Sequence, residues 1–359
     1  MKTIVRYFML IGVCLLLLPA YTKLPDLPLL EAVHSIKQSP HLVSLLQGTN
    51  CHLKMISMVN ITLPDEKQTV EFGQAARVHL EDIANKFGAR VPGSEEEATT
   101  ASYIQSVLKR LNYEVIKQEF QFTNEEDQTS LNSANLIAIK QGDSARQIIL
   151  GAHYDSPAEG AKGADDNASG VALLLEMAQK IKNIQTPYTI RFIAFGSEEN
   201  NLDGSKYYVQ QMDEKEIQNT IVMINLDSLI SGDNAYIFGK SAPGSVRDWI
   251  VNYARESGLN LQPKKETDMF KPDGSHCDCS DIDSFLNANI PFVLFETNKL
   301  DVNREGTIQT DEKFGVDGAI RHTEYDTIEY IDKQFPGRID AYFNLFGKLV
   351  YKVLTEYKE

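Results

Sequence analysis

Three short apolar runs in this chain, Gln147–Ala152, Thr189–Phe195 and Thr220–Leu226, are β-branched, nearly continuous, and end at or close to acidic or imidazole side chains. Runs of this kind are what strands buried on both faces look like. Both faces are covered when helices pack on either side of a mostly parallel sheet. One such helix follows Asn167, where Val171, Leu174, Leu175, Ala178 and Ile181 repeat with a helical period and Asp166 or Asn167 can cap the first turn. Ile290–Glu296 reads as a further core strand, and Ile339, Tyr342, Phe343, Phe346, Leu349, Val350 and Val353 mark a long C-terminal helix. Upstream, Ala101, Ile104, Leu108 and Leu111 mark a helix that leads into a strand pair, Tyr113–Phe122 and Ala134–Lys140. The expected fold class is α/β with a mostly parallel central sheet, in a domain from about Gln74 to the C-terminus. In open sheets of this kind the chemistry sits outside the carboxyl ends of the strands.

The residues at those ends are selective. GAHYDSPAEGAKGADDNASG supplies His153, Asp155 and Asp165, FGSEE supplies Glu198 and Glu199, INLDS supplies Asp227, and RHTEYDTIEYID supplies His322. Each has a bland reading alone: a His-x-Asp surface pair, a solvated acidic face, a strand-terminal cap. Taken together, imidazole nitrogens and carboxylate oxygens are the donors a borderline-soft divalent ion such as zinc takes. Two such ions carry a formal charge of four plus, which three carboxylates largely offset. The intervals are 12 residues from His153 to Asp165, 34 to Glu199, 28 to Asp227 and 95 to His322. They resemble those of the dizinc aminopeptidases of the aminopeptidase Y family, in peptidase clan MH.

That resemblance implies a three-layer α/β/α sandwich of the phosphorylase/hydrolase-like zinc-peptidase type. It implies two zinc ions per chain, with Asp165 bridging them, His153 and Asp227 completing one site, and Glu199 and His322 the other. Paired metals roughly 3.5–4 Å apart clamp an attacking water and the substrate carbonyl. By the same resemblance Glu198 is the general base, and Asp155 supports the second nitrogen of His153. The implied activity is hydrolysis of the N-terminal peptide bond, with a peptide or protein N-terminus as partner and no nucleic acid. INLDSLISGD at Ile224–Asp233, NANIPFVLFETN and IDKQFPGRI at Ile331–Ile339 resemble a periplasmic member that trims N-terminal arginine. A formal net charge of −15, or −17 without Lys2 and Arg6, agrees with attraction of basic N-termini, although an acidic surface is equally a solubility device.

Two departures stand out. Ser280–Phe285 reads SDIDSF where many members carry SDH, so no role passes to a histidine there. Some members have a tyrosine before the final histidine ligand; here Arg321 is either an oxyanion donor or one half of a surface ion pair.

Three rivals are set against this reading. A single-zinc glutaminyl cyclase shares the fold but resembles Asp-Ser where this chain has Asp165-Asp166. A non-enzymatic relative would lack ligands. A carboxypeptidase or deacylase with a lid domain needs more than the 94 residues between Asp227 and His322.

At the N-terminus, Lys2 and Arg6 precede an apolar stretch from Tyr7 to about Ala20, the layout of a signal peptide or, uncleaved, an anchor. Cys14 belongs to that stretch. Residues 21–73 form either an arm or a pro-segment. The location expected is periplasmic or secreted, or at a membrane held by the apolar segment alone. Without the leader three cysteines remain, Cys51, Cys277 and Cys279. A bond between the last two would be strained, and one of them pairing with Cys51 leaves the other free. His34, His41, His52 and His79 have no partner pattern and are expected to face solvent.

Overall fold

The computed structural model describes residues 71–157, 162–264, 280–300 and 307–359. All of them lie in the unit Glu71–Glu359. The expectations for the leader, the arm, the four cysteines, His34, His41 and His52 fall outside the described residues.

The chain alternates helices and strands: α1 (Gln74–Lys86), α2 (Glu95–Arg110), β1 (Val115–Thr123), β2 (Ser130–Lys140), β3 (Ser144–His153), α3 (Gly170–Ile181) and β4 (Tyr188–Phe195). Next come α4 (Glu198–Asn201), α5 (Asp203–Gln210), α6 (Glu214–Asn219), β5 (Thr220–Leu226), β6 (Asn234–Gly239), α7 (Val246–Glu256) and β7 (Gln262–Pro263). The last are α8 (Ile282–Asn287), β8 (Phe292–Asn298), α9 (Ile328–Gln334) and α10 (Arg338–Glu356). The described strands form one sheet in the order β1-β2-β4-β3-β5-β8-β6-β7. Its centre, β4-β3-β5-β8, is parallel, and the antiparallel pairs β1-β2, β2-β4 and β6-β8 flank it. The mostly parallel α/β class expected from the sequence is therefore observed, including the antiparallel β1-β2 pair.

Alternation along the central strands builds the layers. Ile148 and Leu150 of β3 pack into one core with Leu173 and Leu174 of α3 and Phe343 and Phe346 of α10. Ile149, one residue out of phase, packs into a second core with Tyr208 of α5 and Phe285 of α8. A one-residue slip of β3 would exchange these faces, so the two cores fix its register. The register in turn aligns His153 with Phe195 and Gly151 with Asn225, and so places the strand ends side by side. A buried carboxylate anchors the start of the domain: Glu176 of α3 accepts from Gly73 N at 3.1 and 2.9 Å, just before α1.

One glycine governs how closely the site segments approach. A Cβ on Gly170 would lie 2.2 Å from Leu226 O, so only glycine lets α3 begin against the end of β5. Asn167 closes the same junction, donating from Nδ2 to Leu226 O at 2.8 Å and accepting at Oδ1 from Gly170 N at 2.9 Å. The residue at the N-cap of α3 is Ser169 rather than Asp166 or Asn167, although Asn167 Oδ1 takes the helix's first amide. His79 departs from expectation too. It is half-buried, with Nδ1 2.8 Å from the Tyr103 hydroxyl, and burial pushes its pKa down to about 4.

Candidate active site

Five segments converge beyond the carboxyl ends of β3, β4 and β5. His153 ends β3, Asp155 follows it, Glu198 and Glu199 open α4 after β4, and Asp227 follows β5. Asp166 comes from the irregular stretch Ala164–Ser169 before α3, where the Asp166-Asn167 peptide is cis. His322 lies in the loop before α9, in the left-handed region at φ 58°.

The acidic side chain between the two histidines is Asp166. Its Oδ1 is 3.2 Å from His153 Nε2 and its Oδ2 is 3.0 Å from His322 Nε2. Asp227 Oδ1 stands 3.6 Å from His153 Nε2, and Glu199 Oε2 stands 3.7 Å from His322 Nε2. Three groups of donors result among the described residues: His153–Asp166–Asp227 and Asp166–Glu199–His322, which share the Asp166 carboxylate through its two oxygens, and His153–Glu198–Glu199. Glu198 Oε2 is further off, 4.0 Å from His153 Nε2.

The expectation that Asp165 holds the shared position is corrected here. The Asp165 carboxylate points away, accepting from Ile230 N at 2.6 Å, Ser231 N at 3.1 Å and the Ser231 hydroxyl. With these donors it fastens the chain after β5 to the ligand loop. Asp326 completes the arrangement by accepting from Asp165 N at 2.6 Å and Asp166 N at 3.1 Å, so both amides are held while the side chains diverge. The backbone kinks at Asp166 (φ −111°, ψ 93°), so the two side chains leave in different directions, and spacing alone does not say which one faces the histidines.

Further residues hold the others in place. Asp155 Oδ1 faces His153 Nδ1 at 3.4 Å, and its Oδ2 accepts from Glu199 N at 2.9 Å, so one carboxylate supports two strand ends. Asp227 is fixed by Ser228 Oγ at 3.1 Å and Ser280 Oγ at 2.9 Å. Arg90, fully buried, donates to Tyr154 O, Lys162 O and Gly163 O, and so braces both ends of the segment between β3 and Asp166. The sequence reading missed Asp326, Arg90 and Ser280. Asp326 had a local signal, an aspartate four residues after His322. Arg90 and Ser280 act across 72 and 53 residues, which no local pattern reveals.

The electrostatics are those of a cation site. Burial pushes Glu198 and Glu199 well above the usual carboxylate range; the field of His153 offsets part of this and neighbouring carboxylates add to it. Burial likewise raises Asp281 to about 7. His153 is held well above the ordinary imidazole value: its burial opposes the charge, but Glu198, Asp155, Asp166 and Asp227 outweigh that. Buried carboxylates thus outnumber the cations near them, and each is costly unless a positive charge sits among them. Divalent ions fit this donor set, because imidazole nitrogen and carboxylate oxygen converge there and Glu199 Oε1 is buried without a hydrogen-bond partner among the described residues.

Arg321 is neither at the surface nor aimed at the shared carboxylate. Its Nη2 donates to Thr297 O at 3.1 Å, Nε lies 3.9 Å from Asp165 Oδ2, and Nη1 lies 3.6 Å from Glu296 Oε2. The guanidinium therefore serves two buried carboxylates behind the site. Arg321→Ala would leave both without a counter-charge, and the expected result is a loss of about 3 kcal/mol in folding stability. Denaturant titration of the metal-free protein measures it. Unchanged stability with a hundred- to thousandfold fall in turnover would instead make Arg321 an oxyanion donor.

A mostly parallel sheet that brings His and carboxylate donors together beyond its strand ends offers a place for divalent ions. The model of peptidase family M28 matches residues 135–346. The chain belongs to this family of peptidases. It is 29% identical over 306 residues to the alkaline phosphatase isozyme conversion protein of Escherichia coli strain K12, covering 77% of this chain and 88% of that one. It is 38% identical over 240 residues to aminopeptidase YwaD of Bacillus subtilis strain 168, covering 64% of this chain but only 47% of the relative. Among solved structures, BSAP, a zinc aminopeptidase from Bacillus subtilis, superposes with a TM-score of 0.62 at 19% identity, covering 80% of this chain and 96% of that one. Porphyromonas gingivalis glutaminyl cyclase superposes with a TM-score of 0.58 at 22% identity, covering 79% and 98%. At such identities the superpositions establish the shared fold.

Proposed function

We propose that the chain uses two zinc ions and Glu198 to remove the N-terminal residue of peptides or proteins. The observation that carries this reading is the pair of donor groups sharing Asp166, with Glu198 buried beside them. Bound there, the ions supply Lewis acidity to a scissile carbonyl and make water a readier nucleophile at neutral pH. The remaining work falls to side chains. Glu198 is further from His153 than Asp166 and Asp227 are, which supports a role beside the ions rather than as a ligand. As general base it takes a proton from the attacking water and passes it to the leaving amine. Asp155 keeps His153 and Glu199 in register. The excess of carboxylate favours a substrate that brings a positive α-amine.

A preference for basic N-terminal residues is part of the proposal. It is supported by the acidic site and the net charge of −15. Export is proposed from Lys2, Arg6 and the apolar stretch that follows. Among the described residues no helix is long and apolar enough to cross a membrane.

The rival reading is a single-zinc glutaminyl cyclase. The residue after the shared carboxylate is Asn167, so the dipeptide distinction drawn from Asp165-Asp166 does not apply. What supports two ions instead is that both donor groups sharing Asp166 are complete.

The test compares a peptide with its N-acetylated form. Losing one charged contact to the α-amine corresponds to about 1.5–3 kcal/mol. We expect kcat/KM for cleavage of the first peptide bond, followed by the new amine on the shortened peptide, to fall by roughly ten- to a hundredfold on acetylation. Equal cleavage of both would make the protein an endopeptidase or deacylase. Ring closure of an N-terminal glutamine without release of an amino acid would favour the cyclase.

A further inference from the structure

Glu198 sits on a turn that needs outside support. Ser197, immediately before it, has φ 55° in the left-handed region. A non-glycine residue there costs of order 1–3 kcal/mol and persists when its surroundings over-determine it. Three contacts do so. The Ser197 carbonyl accepts from Asp203 N at 3.0 Å, the Ser197 hydroxyl donates to Asp203 Oδ2 at 3.0 Å, and the Ser197 amide donates to Glu97 Oε1 at 3.1 Å.

Glu97 comes from a distant element. It lies in the first turn of α2, where Ser94 Oγ accepts from its amide at 3.1 Å. A glutamate three residues after such a cap commonly returns to the cap's own N–H. This one instead accepts from Gly93 N at 2.7 Å through Oε2, and from the Ser133 hydroxyl at 2.5 Å and Ser197 N through Oε1. Only 2% of it is exposed. Its named partners are neutral, and burial, with Asp155 adding, pushes its carboxyl up to about 8. Taking a carboxylate out of water on such terms is costly for a helix cap that a surface residue could supply. Gly196 admits the close approach, since a Cβ there would lie 2.2 Å from Ser133 Oγ.

The Glu199 amide is held in a parallel way by Asp155 Oδ2 at 2.9 Å. The residues on both sides of Glu198 therefore have their amides bound to buried carboxylates from other parts of the fold.

We propose that Glu97 is a positioning residue for Glu198: by binding the Ser197 amide it fixes the turn that aims the base at the site. The inference rests on Glu198 being the base. Among the described residues, Glu97's side-chain hydrogen bonds go to Gly93, Ser133 and Ser197 and to no group that would hold a metal, so its effect reaches the reaction through the turn.

The experiment measures kcat, KM and metal content for Glu97→Ala in two backgrounds, wild type and Glu198→Gln. In the wild type we expect kcat to fall by about ten- to a hundredfold, the usual effect of removing a supporting contact, with metal content unchanged and KM within about threefold. In the Glu198→Gln background, with no base left to aim, the further fall should be less than about threefold. An equal fractional loss in both backgrounds, or loss of metal together with turnover, overturns the proposal. If Glu198→Gln alone retains full turnover, the assignment of the base has failed rather than that of Glu97. Should Glu97→Ala not fold, Glu97→Gln in the same backgrounds decides. It keeps the shape but has one acceptor oxygen for donors on two sides, so an unchanged kcat would also overturn the proposal.

Discussion

Asp166→Asn is expected to lower the affinity for both metal ions by at least about a hundredfold, since residues that merely support ligands already account for ten- to a hundredfold. Among the described residues, Asp166 alone offers one oxygen toward each histidine, at 3.2 and 3.0 Å. An amide keeps the shape but loses the charge, and its nitrogen cannot act as the second donor. The neighbouring substitution separates position from chemistry. Asp165→Asn removes an acceptor of the Ile230 and Ser231 groups, so it should reduce folding stability by about 1–3 kcal/mol and leave metal affinity within about tenfold. Competition with a chromophoric chelator measures both variants. Metal loss in Asp165→Asn with retention in Asp166→Asn would reverse the assignment.

Glu198→Gln should retain both metals and lose at least about a hundredfold in turnover. The amide is nearly isosteric and still buried, but it cannot accept a proton from water. Because Glu198 stands 4.0 Å from His153 Nε2, outside the nearer contacts of Asp166 and Asp227, its change removes no donor from either group that shares Asp166. Loss of metal along with turnover would make Glu198 a ligand instead, in line with its proximity to His153 and Glu199.

The sheet was readable because its central strands are apolar on both faces. Gln147–Ala152, Thr189–Phe195 and Thr220–Leu226 coincide closely with β3, β4 and β5, and the residues after them reach the site. Helices α1 and α4 to α9 and strands β6 and β7 were not read; most of them are eight residues or shorter, too short for a periodicity to stand out. Six of the seven site residues read from the sequence, His153, Asp155, Glu198, Glu199, Asp227 and His322, are brought together. The exception, Asp165, shows what interval counting lacks. In an Asp-Asp pair the spacing differs by one residue, whereas the direction of the side chain changes, and that direction is set by Asp326 and Ile230 far along the chain. Of the two readings of Arg321, the ion pair is the one seen, but its partners Asp165 and Glu296 are neighbours in space only and place it away from the open surface.

The most direct test of the account is a zinc titration of the metal-free protein, following release of the N-terminal amino acid from an unblocked peptide. The two donor groups that share Asp166 predict that activity rises with added zinc and levels off at two equivalents per chain. A plateau at one equivalent, or full activity without any metal, would contradict it.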